Sequence, residues 1–176
     1  MRTTKEFSLQ DPIIFKQKLF QWSSQFHEIA WLDSNKYPQT DSNFEAVLAV
    51  EAFTALKTDH QGAFDQLKEY QEITKDWIFG YLSYDLKNDL ENLSSKNFDG
   101  LEFSDLYFFQ PQKLILVGKE KVEFRYLKMV DDEIASDYEK ILQLELSLQS
   151  NYSEEKKNVN PIQSRISKEE YLSKVS

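Results

Sequence analysis

Apolar residues fall along this chain in short runs of two different periods. Phe7 and Leu9 alternate with polar neighbours, which predicts a short first strand. Asp11-Pro12 then reads as a helix start, since Asp accepts from first-turn amides and Pro tolerates the first helical position. Ile14, Phe15, Lys18, Leu19 and Trp22 follow at helical spacing and predict a helix over 12–26. Ile29-Ala30-Trp31-Leu32 is a compact strand running into the polar turn Asp33-Ser34-Asn35. Phe44 to Phe53 reads as a further strand through Phe44, Val47, Leu48 and Val50. A helix is the alternative there, because Ala and Glu recur.

Phe64, Leu67, Lys68 and Tyr70 suggest a helix after Gly62. Trp77-Ile78-Phe79-Gly80-Tyr81-Leu82-Ser83-Tyr84 is the strongest strand, being rich in residues that suit a pleated, half-buried surface. Gly80 in its middle marks a bulge or a close approach of another backbone. Asp85 to Leu93 suggests a short helix and Ser94 to Gly100 a polar loop. Leu114-Ile115-Leu116-Val117 and Val122-Glu123-Phe124-Arg125-Tyr126 flank Gly118-Lys119-Glu120-Lys121 as a hairpin. Asp131 to Leu148 has a helical period through Ile134, Tyr138, Ile141, Leu142 and Leu146. Neighbouring strands without crossover helices imply an α/β fold of the α+β type, with a mostly antiparallel sheet and flanking helices. The expected division is a domain over 1–148, a polar linker over 149–166 containing Pro161, and a last segment over 167–176.

That last segment begins Ser167-Lys168-Glu169-Glu170, which has the form of a capping box. Tyr171, Leu172 and Val175 then start an apolar face. Helices shorter than roughly 12–15 residues are marginal in water. The expectation is therefore a helix that continues in a longer protein; the alternative is a final turn packed back on the domain.

Composition narrows the functions. The chain of 176 residues is 40% hydrophobic and 14% aromatic, enough apolar surface to fold. Its 30 acidic and 21 basic residues give a net charge of −9, and no basic stripe stands out. Phosphate backbones are bound through clustered Lys and Arg, so neither nucleic acid nor an anionic membrane surface is an expected partner. No apolar run approaches the roughly 20 residues that span a bilayer. The N-terminus has no apolar signal core, and the expected location is the cytoplasm. There is no Cys, so thiolate chemistry and sulfur metal sites are excluded.

Motifs for catalysis are missing. His27 and His60 show no metal spacing, the 4 glycines form no phosphate loop, and no GxSxG elbow occurs. Two stretches suit a small ligand. In Trp31-Leu32-Asp33-Ser34 a strand delivers a carboxylate and a hydroxyl to a turn, where Asp33 suits an ammonium group and Ser34 can donate or accept. The aromatic faces of Trp77 to Tyr84 could wall an apolar pocket. Each also has a plainer reading, as a strand-end turn and as ordinary sheet core.

These stretches carry a resemblance. Trp31-Leu32-Asp33-Ser34, Ser42-Asn43-Phe44-Glu45-Ala46-Val47, Trp77 to Asp85, Gln110-Pro111 and the tail Ser167 to Val175 resemble, in order, the N-terminal region of chorismate-utilising enzymes. The likeness is greatest to component I of aminodeoxychorismate (para-aminobenzoate) synthase, with component I of anthranilate synthase as the close relative. The resemblance implies the N-terminal domain of the anthranilate synthase component I-like fold, with the tail opening the family's chorismate-binding domain. It implies a parent enzyme that aminates chorismate with Mg²⁺, receiving ammonia from a glutamine amidotransferase subunit. No catalytic residue and no cofactor is then expected within this chain, and its first partner would be the C-terminal chorismate-binding domain. The resemblance further implies a tryptophan-type pocket lined by Leu32, Asp33 and Ser34, and by Ser42, Asn43 and Phe44. Anthranilate synthases commonly carry Glu at the position of Asp33, and aminodeoxychorismate synthases often carry Arg at that of Asn43. A free-standing small-ligand-binding module and a subunit-docking module are the other readings.

Overall fold

The computed structural model of the chain describes residues 1–35, 37, 44–91, 93, 100–146 and 164–175. Internal contacts divide it into one unit over Met1–Leu146 and another over Ser147–Ser176.

The first unit is built on one antiparallel sheet. Its strands are β1 (Arg2–Ser8), β2 (Ile29–Asp33), β3 (Ala46–Thr58), β4 (Phe79–Leu82), β5 (Leu106–Val117) and β6 (Lys121–Leu127). The spatial order is β1-β6-β5-β3-β2, and β4 lies beside the first half of β5. Helices α1 (Pro12–Ser23), α2 (Ala63–Thr74), α3 (Lys87–Leu90) and α4 (Ile134–Gln143) complete it.

Side-chain alternation along β5 shows where the layers lie. Ile115 and Val117 join Phe15, Leu19 and Trp22 of α1 and Ile134 and Ile141 of α4 in the main core. Leu106 and Phe108 pack with Phe64 and Leu67 of α2. Phe109, Leu114 and Leu116 gather instead with Phe79 and Ala49. Helices α1, α2 and α4 therefore cover one face, and an aromatic and aliphatic cluster occupies the other. Each fully buried large apolar side chain contributes about 1.5–3 kcal/mol, so the main core sets most of the stability.

The predicted helices and strands were found, with shifted ends, and the expected loop Ser94 to Gly100 falls almost wholly outside the described residues. Asp11 caps α1 by accepting from the amides of Ile13 and Ile14 at 2.9 and 3.0 Å, as expected. The helix stops at Ser23, short of 26, where the Ser23 and Ser24 hydroxyls take the carbonyls of Phe20 and Gln21. β3 is a strand, and it runs on to Thr58, because β5 offers a partner along its whole length. Strand pairing in the aromatic stretch covers only Phe79–Leu82, and Tyr84 already starts a 3₁₀ turn. α4 spans Ile134–Gln143 rather than Asp131 to Leu148, with Asp131–Glu133 forming a 3₁₀ turn before it. Leu144 to Leu146 are not helical, and Leu148 lies outside the described residues.

The largest miss is β5, expected only from Leu114 onward. The part before Leu114 contains Gln110, Pro111, Gln112 and Lys113, which read as polar or strand-breaking. The strand survives because the β3–β5 register slips by one residue between Ala52 and Thr54, beside Pro111. Glu51 next to the slip takes φ 63°, a left-handed conformation that costs a non-glycine residue about 1–2 kcal/mol.

In the second unit α5 covers Lys168–Val175. The Ser167 hydroxyl accepts from the Glu170 amide at 3.1 Å, which is half of the expected capping box. The other half is not formed. The Glu170 carboxylate pairs with Lys174 at 2.9 Å, an i,i+4 contact on the helix surface. The expected linker falls almost wholly on 147–163, outside the described residues.

Candidate functional site

β2 and β3 pair Leu32 with Val47 and Asp33 with Ala46. Successive residues of a strand face opposite ways, so the two neighbours are separated. Leu32 is 58% exposed, on the face opposite α1. Asp33 turns toward α1, where Lys16 reaches its two oxygens at 3.2 and 3.1 Å. The same carboxylate accepts the Asn35 amide at 2.8 Å, closing an Asx turn with Asn35 at φ 50°. The Ser34 amide donates to the Glu45 carbonyl at 2.9 Å. Asp33 is thus already paired with a cation and an amide, and a ligand ammonium would have to compete for it. Phe44 is half-buried beneath the Arg125 guanidinium at 5.8 Å. Ser42 and Asn43 lie outside the described residues.

The aromatic stretch forms an array with β5. Trp77 stacks on Phe79 with ring centroids 6.1 Å apart, Phe79 approaches Phe109 at 6.5 Å, and Tyr81 approaches Tyr107 at 6.1 Å. Gly80 is where two backbones come close, one of the two meanings its position allowed. A Cβ there would overlap the Tyr107 carbonyl and the Phe108 Cα. The Ser83 hydroxyl donates to Asp105 at 3.0 Å, and the His60 ring contacts the other oxygen of Asp105 at 3.3 Å. The carboxylate stands between serine and imidazole, so His60 is not placed to take a proton from Ser83 as a triad requires.

Sequence reasoning missed a polar network around Pro111. A proline has no amide to donate to a strand ladder. Arg2 supplies the donors, to the carbonyls of Pro111, Gln112 and Arg125. Its Nε is held by Asp76 at 2.9 Å, and Asp76 also accepts from the Gln110 side chain at 2.7 Å. Burial pushes the Asp76 carboxyl up, but the hydrogen bonds from Arg2 and Gln110 outweigh it and hold the group below the ordinary carboxylate range. At the same slip the Gln110 amide donates to the Tyr70 hydroxyl at 3.0 Å. That hydroxyl in turn donates to the Thr54 carbonyl at 3.0 Å. Pro111 inside a strand was the one signal that could have pointed here.

A second missed cluster surrounds Lys113. Its ammonium donates to Glu133 at 2.6 Å and Asp137 at 2.9 Å, between the rings of Trp22, Phe26 and Tyr126. Burial pulls the Lys113 ammonium down, yet the two carboxylates outweigh it and raise it. Tyr126 donates to the same Asp137 oxygen at 3.1 Å, and burial together with Asp137 raises its phenol far above the usual range. Both clusters satisfy buried polar groups, which stabilises a fold without supplying a reactive one.

The sequence pattern of the chorismate binding enzymes matches residues 22–176. The chain belongs to the chorismate-binding enzyme family. Comparison with curated proteins gave no match. For a chorismate-binding enzyme the matched span includes the Leu32–Ser34 turn, the aromatic stretch and Pro111. Among the described residues, no three His, Asp or Glu converge as a metal site. Among them too, no helix is long and apolar enough to cross a membrane.

Proposed function

We propose that residues 1–148 serve as the non-catalytic N-terminal domain of component I of an aminodeoxychorismate synthase, a cytoplasmic enzyme that aminates chorismate toward para-aminobenzoate and folate. The observation that carries this reading is the engagement of the domain's inward-facing acids. Asp33 is tied to Lys16, Asp76 to Arg2, Asp105 to Ser83 and His60, and Asp137 to Lys113 and Tyr126. Groups so paired orient strands and helices; they are poorly placed to exchange protons with a substrate.

On this reading chorismate and Mg²⁺ bind a downstream chorismate-binding domain that opens at 167–176, joined through 149–166. Ammonia comes from a glutamine amidotransferase subunit. The tryptophan-type pocket of this reading takes Leu32, Asp33, Ser34 and Phe44, with Lys16 holding Asp33 in the turn; Ser42 and Asn43, also assigned to it, lie outside the described residues. Component I of anthranilate synthase is the alternative, and Asp33 in place of its usual Glu weighs against it.

The test is reconstitution. The 176-residue chain is mixed with a separately prepared chorismate-binding domain, chorismate, Mg²⁺ and ammonium, and the products are separated. Aminodeoxychorismate formed faster than by the second domain alone is expected. Anthranilate as the product, or no effect of the added chain, would overturn the assignment.

A further inference from the structure

We infer that a cleft at the β1 side of the sheet binds a small planar organic carboxylate. The cleft, of about 360 Å³, opens between β1, β5, β6 and the segment that joins α2 to β4. That size lies within the range of small-molecule sites. The cleft is separate from the Leu32–Ser34 turn, which sits on β2 at the opposite edge of the sheet.

The chemistry of its wall is one-sided. Its one acid among the described residues is Asp76, and that charge is already matched by the guanidinium of Arg2. Donors, by contrast, are left over. The Arg2 side chain is only 9% exposed. Its five N–H groups meet Asp76 and three carbonyls, so one Nη2 hydrogen remains without a partner among the described residues. Lys75, Thr4 and Trp77 also line the cleft, and the ammonium, hydroxyl and indole N–H they carry have no partner among the described residues. A wall with surplus donors and cations, and no free acceptor charge, selects an anion. Lys75 stands at the C-terminal end of α2, where its charge offsets the partial negative charge that would otherwise oppose one. The Trp77 ring, 43% exposed, adds a flat apolar wall suited to the planar body of the acid.

The intact 176-residue chain tests this by titration, following the three tryptophan indole N–H resonances by NMR. Trp77→Phe assigns the relevant one. Sodium benzoate is the probe, with benzamide as the uncharged match in shape and inorganic phosphate as the non-planar anion. The Trp77 resonance should move saturably, half-way on the order of 1 mM benzoate. The indoles of Trp22 and Trp31 should stay still. Lys75→Gln should weaken benzoate about five- to tenfold with an unchanged unfolding midpoint, because Lys75 is exposed. No saturable shift by about 50 mM benzoate would overturn the site. So would benzamide binding as well as benzoate, or Lys75→Gln binding like the parent. Phosphate binding as tightly as benzoate would overturn the planar-acid assignment.

Discussion

The Arg2 guanidinium meets the Asp76 carboxylate at 2.9 Å, joining the first strand to the segment before β4 across 74 positions of sequence. The pair does more than balance two charges. Asp76 orients Arg2 so that its remaining N–H groups reach the carbonyls of Pro111 and Gln112 on β5 and of Arg125 on β6. Asp76→Ala removes the orienting partner and leaves a mostly buried cation uncompensated. It should destabilise the chain by about 3 kcal/mol in urea unfolding.

The same pair sets a pH dependence. The folded-state carboxyl of Asp76 is held below its usual value of 3.8. Its contribution is therefore complete above that value and is lost as the pH falls through the lower folded one. The parent chain should lose stability in this acidic window, and Asp76→Asn should show a shallower fall there. Equal slopes below pH ~4 would show that the pair contributes nothing.

Tyr70 bonds the same stretch from the helix side. Its hydroxyl accepts the Gln110 amide and donates to the Thr54 carbonyl opposite, bridging β5 and β3 at the register slip. Tyr70→Phe keeps the ring and orphans that amide. It should cost about 1–3 kcal/mol and speed hydrogen exchange at Gln110 before the rest of β5.

Gly80→Ala should be more damaging than its one added carbon suggests. The methyl group would sit on the Tyr107 carbonyl, so β4 must move away from β5. A loss of about 2 kcal/mol or more is expected, with the unfolding midpoint in urea as the measure.

Much of this architecture could be read from the residues, but not evenly. Helical spacing located α1 and α4 through Phe15, Leu19, Trp22, Ile134 and Ile141, which are buried, and compact apolar runs located β2 and the β5–β6 hairpin. Pattern failed for the part of β5 before Leu114, where Gln110 and Lys113 are buried through partners distant in sequence, Asp76, Glu133 and Asp137. Local pattern cannot reveal such partners. The turn at Leu32-Asp33-Ser34 was legible as a turn, since a strand ended in residues that bond their own backbone. Which way Asp33 faced was not, because that depends on the register with β3 and on Lys16 of α1. The half-formed cap at Ser167 shows the same limit: the pattern located the serine contact, while Glu170 found a lysine one turn on.

The most direct test of the central claim is turnover. The 176-residue chain is incubated with chorismate, Mg²⁺ and ammonium, and chorismate loss and amine products are followed. A rate no different from buffer is expected, because the domain's inward-facing acids are held in structural pairs. Protein-dependent conversion of chorismate, removed by heat denaturation, would contradict it.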